Sequence, residues 1–220
     1  MKNSNAILKT LLFPGLIVLF LLTALCSHKP QAFDPLDYFP LAEGNQWLFS
    51  GDLQVLTIKE IKHMGKSLQA TAVFSDTLLT PLWRETYRLE NGQLQWTDFE
   101  PATQLLPKVT FEPPLSAAPF SAIVGDVRKI NGVEVRIDST GATKRVPITV
   151  EYRIDAVENV ETPVGSFENC IKVTSEFQYP SADDYPLFVG RHIWWFAKSV
   201  GPVKYELPSS SGELIGFKLH

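Results

Sequence analysis

The side chains able to do chemistry are few and scattered. Histidine occurs at His28, His63, His192 and His220, with no two at a spacing that would place them on one face of an element. Such a distribution does not build a zinc site, which needs clustered His, Cys or carboxylate ligands. No metal and no cofactor is expected. Nucleophilic catalysis needs a Ser or Cys with a base and an orienting group. The segment nearest to Gly-x-Ser-x-Gly is Val164-Gly165-Ser166-Phe167-Glu168, which lacks the second glycine and follows Thr162-Pro163 as a turn would. Cys170 falls between Glu168 and Lys172 in an alternating run and is expected on its polar face. Asp183-Asp184, flanked by Tyr179-Pro180 and Tyr185-Pro186, is the one paired carboxylate motif that could hold calcium or a saccharide. A solvated turn is the plainer reading of it.

The aromatics carry more information. There are 5 Trp, 14 Phe and 6 Tyr in 220 residues. Trp194 and Trp195 are adjacent, so on a strand they point to opposite faces. One enters the core, and the other meets a second layer, a ligand or water. Both are therefore candidate ligand-binding residues, by stacking on a sugar or covering an apolar groove.

The elements that must position these residues read as strands. Ile148, Val150, Tyr152, Ile154 and Ala156 alternate with Thr149, Glu151, Arg153 and Asp155, the period of a half-buried strand. Phe167 to Phe177 and Leu68 to Phe74 repeat that period. Asn91-Gly92 and Asn131-Gly132 sit between alternating runs and predict tight hairpin turns. Met64-Gly65-Lys66, Thr140-Gly141 and Ser211-Gly212 predict further reversals. No segment after residue 38 shows a sustained helical stripe. The fold expected is all-β, an antiparallel meander forming a curved sheet or a two-sheet sandwich.

Prolines at 101, 107, 113, 114 and 119 cannot donate to a ladder, so residues 101–119 are expected as an extended crossing segment. This segment joins two halves, residues 38–100 and 120–220, whose order of features matches and suggests duplication within a single domain spanning 38–220.

The chain opens with Lys2 and Lys9 and no acid, followed by an uncharged run from Leu11 to Leu25. That is the anatomy of a secretory signal, and the run is short for a membrane span. Residues 1–26 are read as a signal or anchor and 27–37 as a tether. Cys26 stands where a lipoprotein signal would be cut and its cysteine lipidated, although Leu25 is unusual before such a cysteine. Lipidation would tether the protein to a membrane through Cys26, an uncleaved apolar segment would do the same, and ordinary cleavage would release it. Loss of residues 1–26 leaves 18 basic against 24 acidic residues, a charge of -6. No clustered basic surface for nucleic acid is present. Cys170 would then be the remaining cysteine if Cys26 is modified, and no disulfide framework is possible.

Three segments resemble the TapB-like family of bacterial envelope proteins, many of which carry lipoprotein signals and whose function is not established. They are Tyr38-Phe39-Pro40-Leu41-Ala42-Glu43-Gly44-Asn45-Gln46-Trp47, Glu161-Thr162-Pro163-Val164-Gly165-Ser166-Phe167-Glu168-Asn169-Cys170, and Trp195-Phe196-Ala197-Lys198-Ser199-Val200-Gly201-Pro202-Val203-Lys204-Tyr205-Glu206. The resemblance implies a structural scaffold of turn glycines and core aromatics and assigns no active site. Lipid carriers of the bacterial periplasm are a looser likeness, and the helices that close their sheets have no counterpart in this sequence.

The reading that stands first is an exported, non-enzymatic cell-envelope protein acting as a binding or assembly module, its partner an envelope protein or an apolar ligand. A carrier of lipid or another apolar ligand in the concavity of a curved sheet is the alternative. A carbohydrate-active enzyme using Asp183 and Asp184 is the third.

Overall fold

The computed structural model describes residues 33–51, 55–181 and 186–220. Cys26, the signal segment, and Asp183 and Asp184 lie outside the described residues. Phe33–His220 forms one compact unit.

Twelve strands follow one another in chain order. They are β1 (Gln46–Phe49), β2 (Val55–Met64), β3 (Ser67–Ser75), β4 (Pro81–Glu90), β5 (Gln93–Pro101), β6 (Lys108–Ser116), β7 (Val127–Ile137), β8 (Thr143–Thr162), β9 (Gly165–Gln178), β10 (Gly190–Ala197), β11 (Gly201–Glu206) and β12 (Ser211–Lys218). Each pairs antiparallel with its sequence neighbours, and β12 returns to pair with β1, Trp47 opposite Phe217 and Leu48 opposite Gly216. The all-β antiparallel meander expected from the sequence is present. Its sheet is neither an open curve nor a sandwich, because the last strand hydrogen-bonds to the first and closes a barrel.

Alternation decides which residues fill that barrel. On β8, Val146, Ile148, Val150, Tyr152 and Ile154 are buried, while Pro147 and Arg153 between them and Arg145 before them are exposed. The outer face carries ion pairs such as Arg145 with Glu112 and Lys62 with Glu60. Apolar inside and charged outside is the reverse of a membrane-spanning barrel. This barrel is built to stand in water. Eight strands give an interior that side chains can fill, and diameter grows with strand number, so twelve leave room to spare. Aromatic rings take up much of that room.

The turn chemistry is mostly as expected. Asn91 and Gly92 have φ of 51° and 71°, the two positive values that a primed turn between β4 and β5 requires. The Asp138 carboxylate caps the β7–β8 turn, accepting from the amides of Thr140 and Ala142 at 2.8 and 3.0 Å.

Three expectations are corrected. Asn131-Gly132 is no hairpin: β7 runs straight through it, with Gly132 opposite Ile148. A glycine is needed there because a Cβ would lie 2.9 Å from the Glu112 carbonyl oxygen and 3.2 Å from Pro113. Close approach of β6, and not positive φ, explains the residue. The proline-rich segment is no crossing segment either, since it contains β6. Opposite β5, the register jumps from Trp96↔Leu115 to Asp98↔Thr110, and Pro113 and Pro114 fall in that excursion, where no ladder partner is required. The third is Cys170, which is fully buried. Asn169 adopts a positive φ of 53° and the β8–β9 register shifts between Glu158 and Val160, and at this bulge Cys170 is covered by a buried cluster that includes Val160, Trp195 and Ala197.

Candidate functional site

Because the strands alternate up and down, the connections β5–β6, β9–β10 and β11–β12 emerge at one end of the barrel. Leu106, Leu187, Leu207 and Ser209 from those connections line a cavity of about 570 Å³. The opposite end of the cavity meets Phe39 from the start of the chain and Ala117 and Ala118 from the β6–β7 connection. Such a volume is in the range of small-molecule sites.

The walls are aromatic. Trp83, Trp96 and Trp194 face the cavity, with Phe74, Phe177 and Phe188. These rings fix one another: Phe74 stacks on Trp83 at 4.7 Å, and Phe188 meets Trp96 edge-on at 5.1 Å. Among the described residues no Lys or Arg lines the space.

One carboxyl lines it. On β4, Trp83, Glu85 and Tyr87 share the inward face, while Arg84 on the other face is exposed. Glu85 lies between Ala72 of β3 and Phe99 of β5, neither of which offers it a charge. The Trp83 indole N–H donates to Glu85 Oε1 at 3.0 Å, and the Tyr87 hydroxyl donates to Oε2. The Tyr87 ring is held in turn by the edge of Phe39 at 5.2 Å. No basic side chain pairs with Glu85 among the described residues. Burial pushes its carboxyl up to about 7, against the two hydrogen bonds that favour the ionised form. Burial, and then the charge of Glu85, push the Tyr87 hydroxyl well above its usual range.

Across the cavity, β10 supplies His192, whose ring lies 4.9 Å from that of Phe177. Burial lowers its pKa, while its contact with the Val189 carbonyl at 3.3 Å opposes that shift. The β8 residue Tyr152 also lines the space, its hydroxyl buried beside Ser116 and Arg128.

The structure separates the two candidate tryptophans as strand geometry requires. Trp194 lines the cavity, 5.2 Å from Tyr205. Trp195 is turned the other way and is buried. Its indole N–H donates to Glu158 Oε1 at 2.6 Å, and Lys172 and Lys204 lie 4.7 and 5.4 Å from its ring. Tyr179, considered above for its place beside Asp183-Asp184, donates instead to buried Glu134 at 2.6 Å. His63 is exposed on β2, far from His192 in register. Among the described residues no three His, Cys, Asp or Glu side chains gather as a metal site would need.

Sequence reasoning passed over Glu85. The signal was present in Trp83-Arg84-Glu85-Thr86-Tyr87-Arg88-Leu89, where both arginines fall in the outward set and the acid falls in the aromatic inward one.

No family model matches the chain, so the likeness to the TapB-like family stays a resemblance. No curated protein matches it significantly. Two solved structures are similar in fold. One is a candidate lipoprotein of Parabacteroides distasonis, 17% identical, with a TM-score of 0.49 over 83% of this chain and 99% of the other. The second is a candidate exported protein with a YmcC-like fold from Bacteroides fragilis, 16% identical, with a TM-score of 0.46 over the same shares. Likeness at this level assigns this chain neither a role nor a residue.

Proposed function

We propose that the protein is an exported cell-envelope binding protein that holds an apolar or amphiphilic small molecule inside its barrel. The observation that carries this reading is the cavity of about 570 Å³ walled by tryptophan and phenylalanine. A module serving only assembly would have no use for such a space. Interiors otherwise pack to the density of organic crystals, and an unfilled apolar volume lowers stability. The carrier reading is therefore preferred to the assembly module. Export rests on the basic start and apolar run of residues 1–26, and retention at a membrane on Cys26 or that run. The entrance suits such a ligand, because Leu78, Leu79 and Leu105 are exposed at the end of the barrel where Leu106 borders the cavity.

The test is mass spectrometry of protein recovered from an expressing bacterium, under native conditions and after denaturation, paired with titration of the fluorescent apolar probe 1-N-phenylnaphthylamine. The expected result is a native mass exceeding the denatured mass by a discrete ligand, and saturable probe binding that Ser175→Phe abolishes by filling the cavity. Equal masses together with no saturable probe binding would overturn the reading.

A further inference from the structure

The cavity is not uniformly apolar, and its carboxyl has a definite chemistry. Among the described residues that line it, Glu85 is the one carboxyl, no lysine or arginine is present, and His192 is the one imidazole. An ionised carboxylate can only accept hydrogen bonds. Trp83 and Tyr87 already supply one donor to each oxygen, and the lone pairs that remain can be matched by a further donor or a cation. An anionic head group would find no lysine or arginine among the described lining residues, Arg128 lying behind Ser116, and would face a like charge at Glu85. The surrounding rings also select for a cation, because the faces of Trp and Tyr carry partial negative charge. Trp96 and Trp194 present such rings to the same space.

Resting on the cavity-binding reading, we infer that the ligand is a cationic amphiphile, an apolar body seated among the aromatic rings with an amine nitrogen paired to Glu85. Fatty acids and anionic phospholipids are disfavoured for the same reason. Pairing completes what the fold leaves open: Glu85 is oriented by two hydrogen bonds and has no counter-ion among the described residues, so the ligand brings the compensating charge. It also couples binding to protonation, since the pair forms with the ionised carboxyl and binding of the protonated amine releases any proton on Glu85 to solvent. The other titratable groups facing the cavity are Tyr87 on the same strand, Tyr152 on β8 and His192 on β10; β3 and β5 place Ala72 and Phe99 beside Glu85, and Phe39 covers Tyr87.

The experiment compares dodecylamine, dodecanol and dodecanoate as competitors of 1-N-phenylnaphthylamine at pH 8, for the native protein and Glu85→Gln. The amine is expected to bind at least about tenfold more tightly than the alcohol, with dodecanoate weakest. In Glu85→Gln the alcohol should bind as before and the amine should lose its advantage. Retained alcohol binding shows that the variant is folded and its cavity intact. Equal affinity of amine and alcohol for the native protein would overturn the inference and leave the cavity reading standing, as would an amine advantage that survives in Glu85→Gln. Failure of all three competitors would remove both.

Discussion

Tyr179 donates its hydroxyl hydrogen to Glu134 at 2.6 Å, joining the end of β9 to β7 although β8 lies between them. The same hydroxyl accepts the amide of Phe188 at 3.2 Å, and Arg136 donates to the other Glu134 oxygen through Nε at 2.8 Å and Nη2 at 2.5 Å. Glu134 is fully buried, so this triad holds the β9–β10 connection, and with it Phe188, against the cavity.

Tyr179→Phe removes one hydrogen bond to a buried charge and should lower unfolding stability by about 1–3 kcal/mol. Glu134→Ala removes a buried carboxylate that accepts from both Tyr179 and Arg136 and should cost more, about 3–5 kcal/mol. Urea denaturation followed by tryptophan fluorescence measures both. Equal costs would show that the tyrosine, and not the ion pair, sets the stability of this corner.

Glu85 should make the protein less stable as the pH rises. Its ordinary value is 4.5 and its folded value about 7, so between those limits the folded chain keeps a proton that the unfolded chain has released. Stability is therefore full below about pH 4.5 and is lost as the pH climbs through 7, by on the order of 3 kcal/mol. His192 acts oppositely: its folded pKa lies below the usual 6.5, so it costs stability as the pH falls under that value. The quantity to measure is the difference in melting temperature between native protein and Glu85→Gln from pH 5 to 8, in which His192 cancels. A difference that does not change with pH would refute the assignment.

Two glycines should fail for reasons of space. At Gly201 a Cβ would lie 2.8 Å from Trp47 Nε1, which donates to the Val200 carbonyl at 2.7 Å. Gly201→Ala adds strain at a φ of 106° and should cost about 1–3 kcal/mol. Gly132→Ala should cost a similar amount through the Glu112 carbonyl, whereas Asn131→Ala should change little because no turn is present. Melting curves of the three variants distinguish crowding from turn geometry.

Cys170 should be inert in the folded protein. Burial, with Glu158 adding to it, pushes the thiol up to about 11, and Sγ donates to the Phe167 carbonyl. A thiol reagent such as dithionitrobenzoate at pH 8 should label Cys170 only after denaturation. Rapid labelling of native protein would contradict its burial.

The strands were legible because period-two alternation is a local property, visible in Ile148 to Ile154 without knowing any partner. Asn91-Gly92 was legible for the same reason. Barrel closure was not, since the pairing of Trp47 with Phe217 joins residues at opposite ends of the domain. Gly132 was misread because a turn dipeptide and a glycine crowded by another strand look alike until the neighbouring strand is placed. Cys170 was expected in solvent because the residues that cover it, Val160 of β8 and Trp195 and Ala197 of β10, come from other strands. Trp194 and Trp195 were separable from their adjacency, but which of them enters the cavity depends on how β10 is set in the barrel. Glu85 escaped notice because it became singular only when a dozen strands had gathered around one space.

Pairing β1 with β12 also ties folding to the completion of the chain. Until the final strand arrives, the sheet is a ribbon with two raw edges, each able to recruit a neighbouring molecule. The ring cannot shut before residues 211–218 are free to reach β1, so a chain cut short of β12 stays open and adhesive.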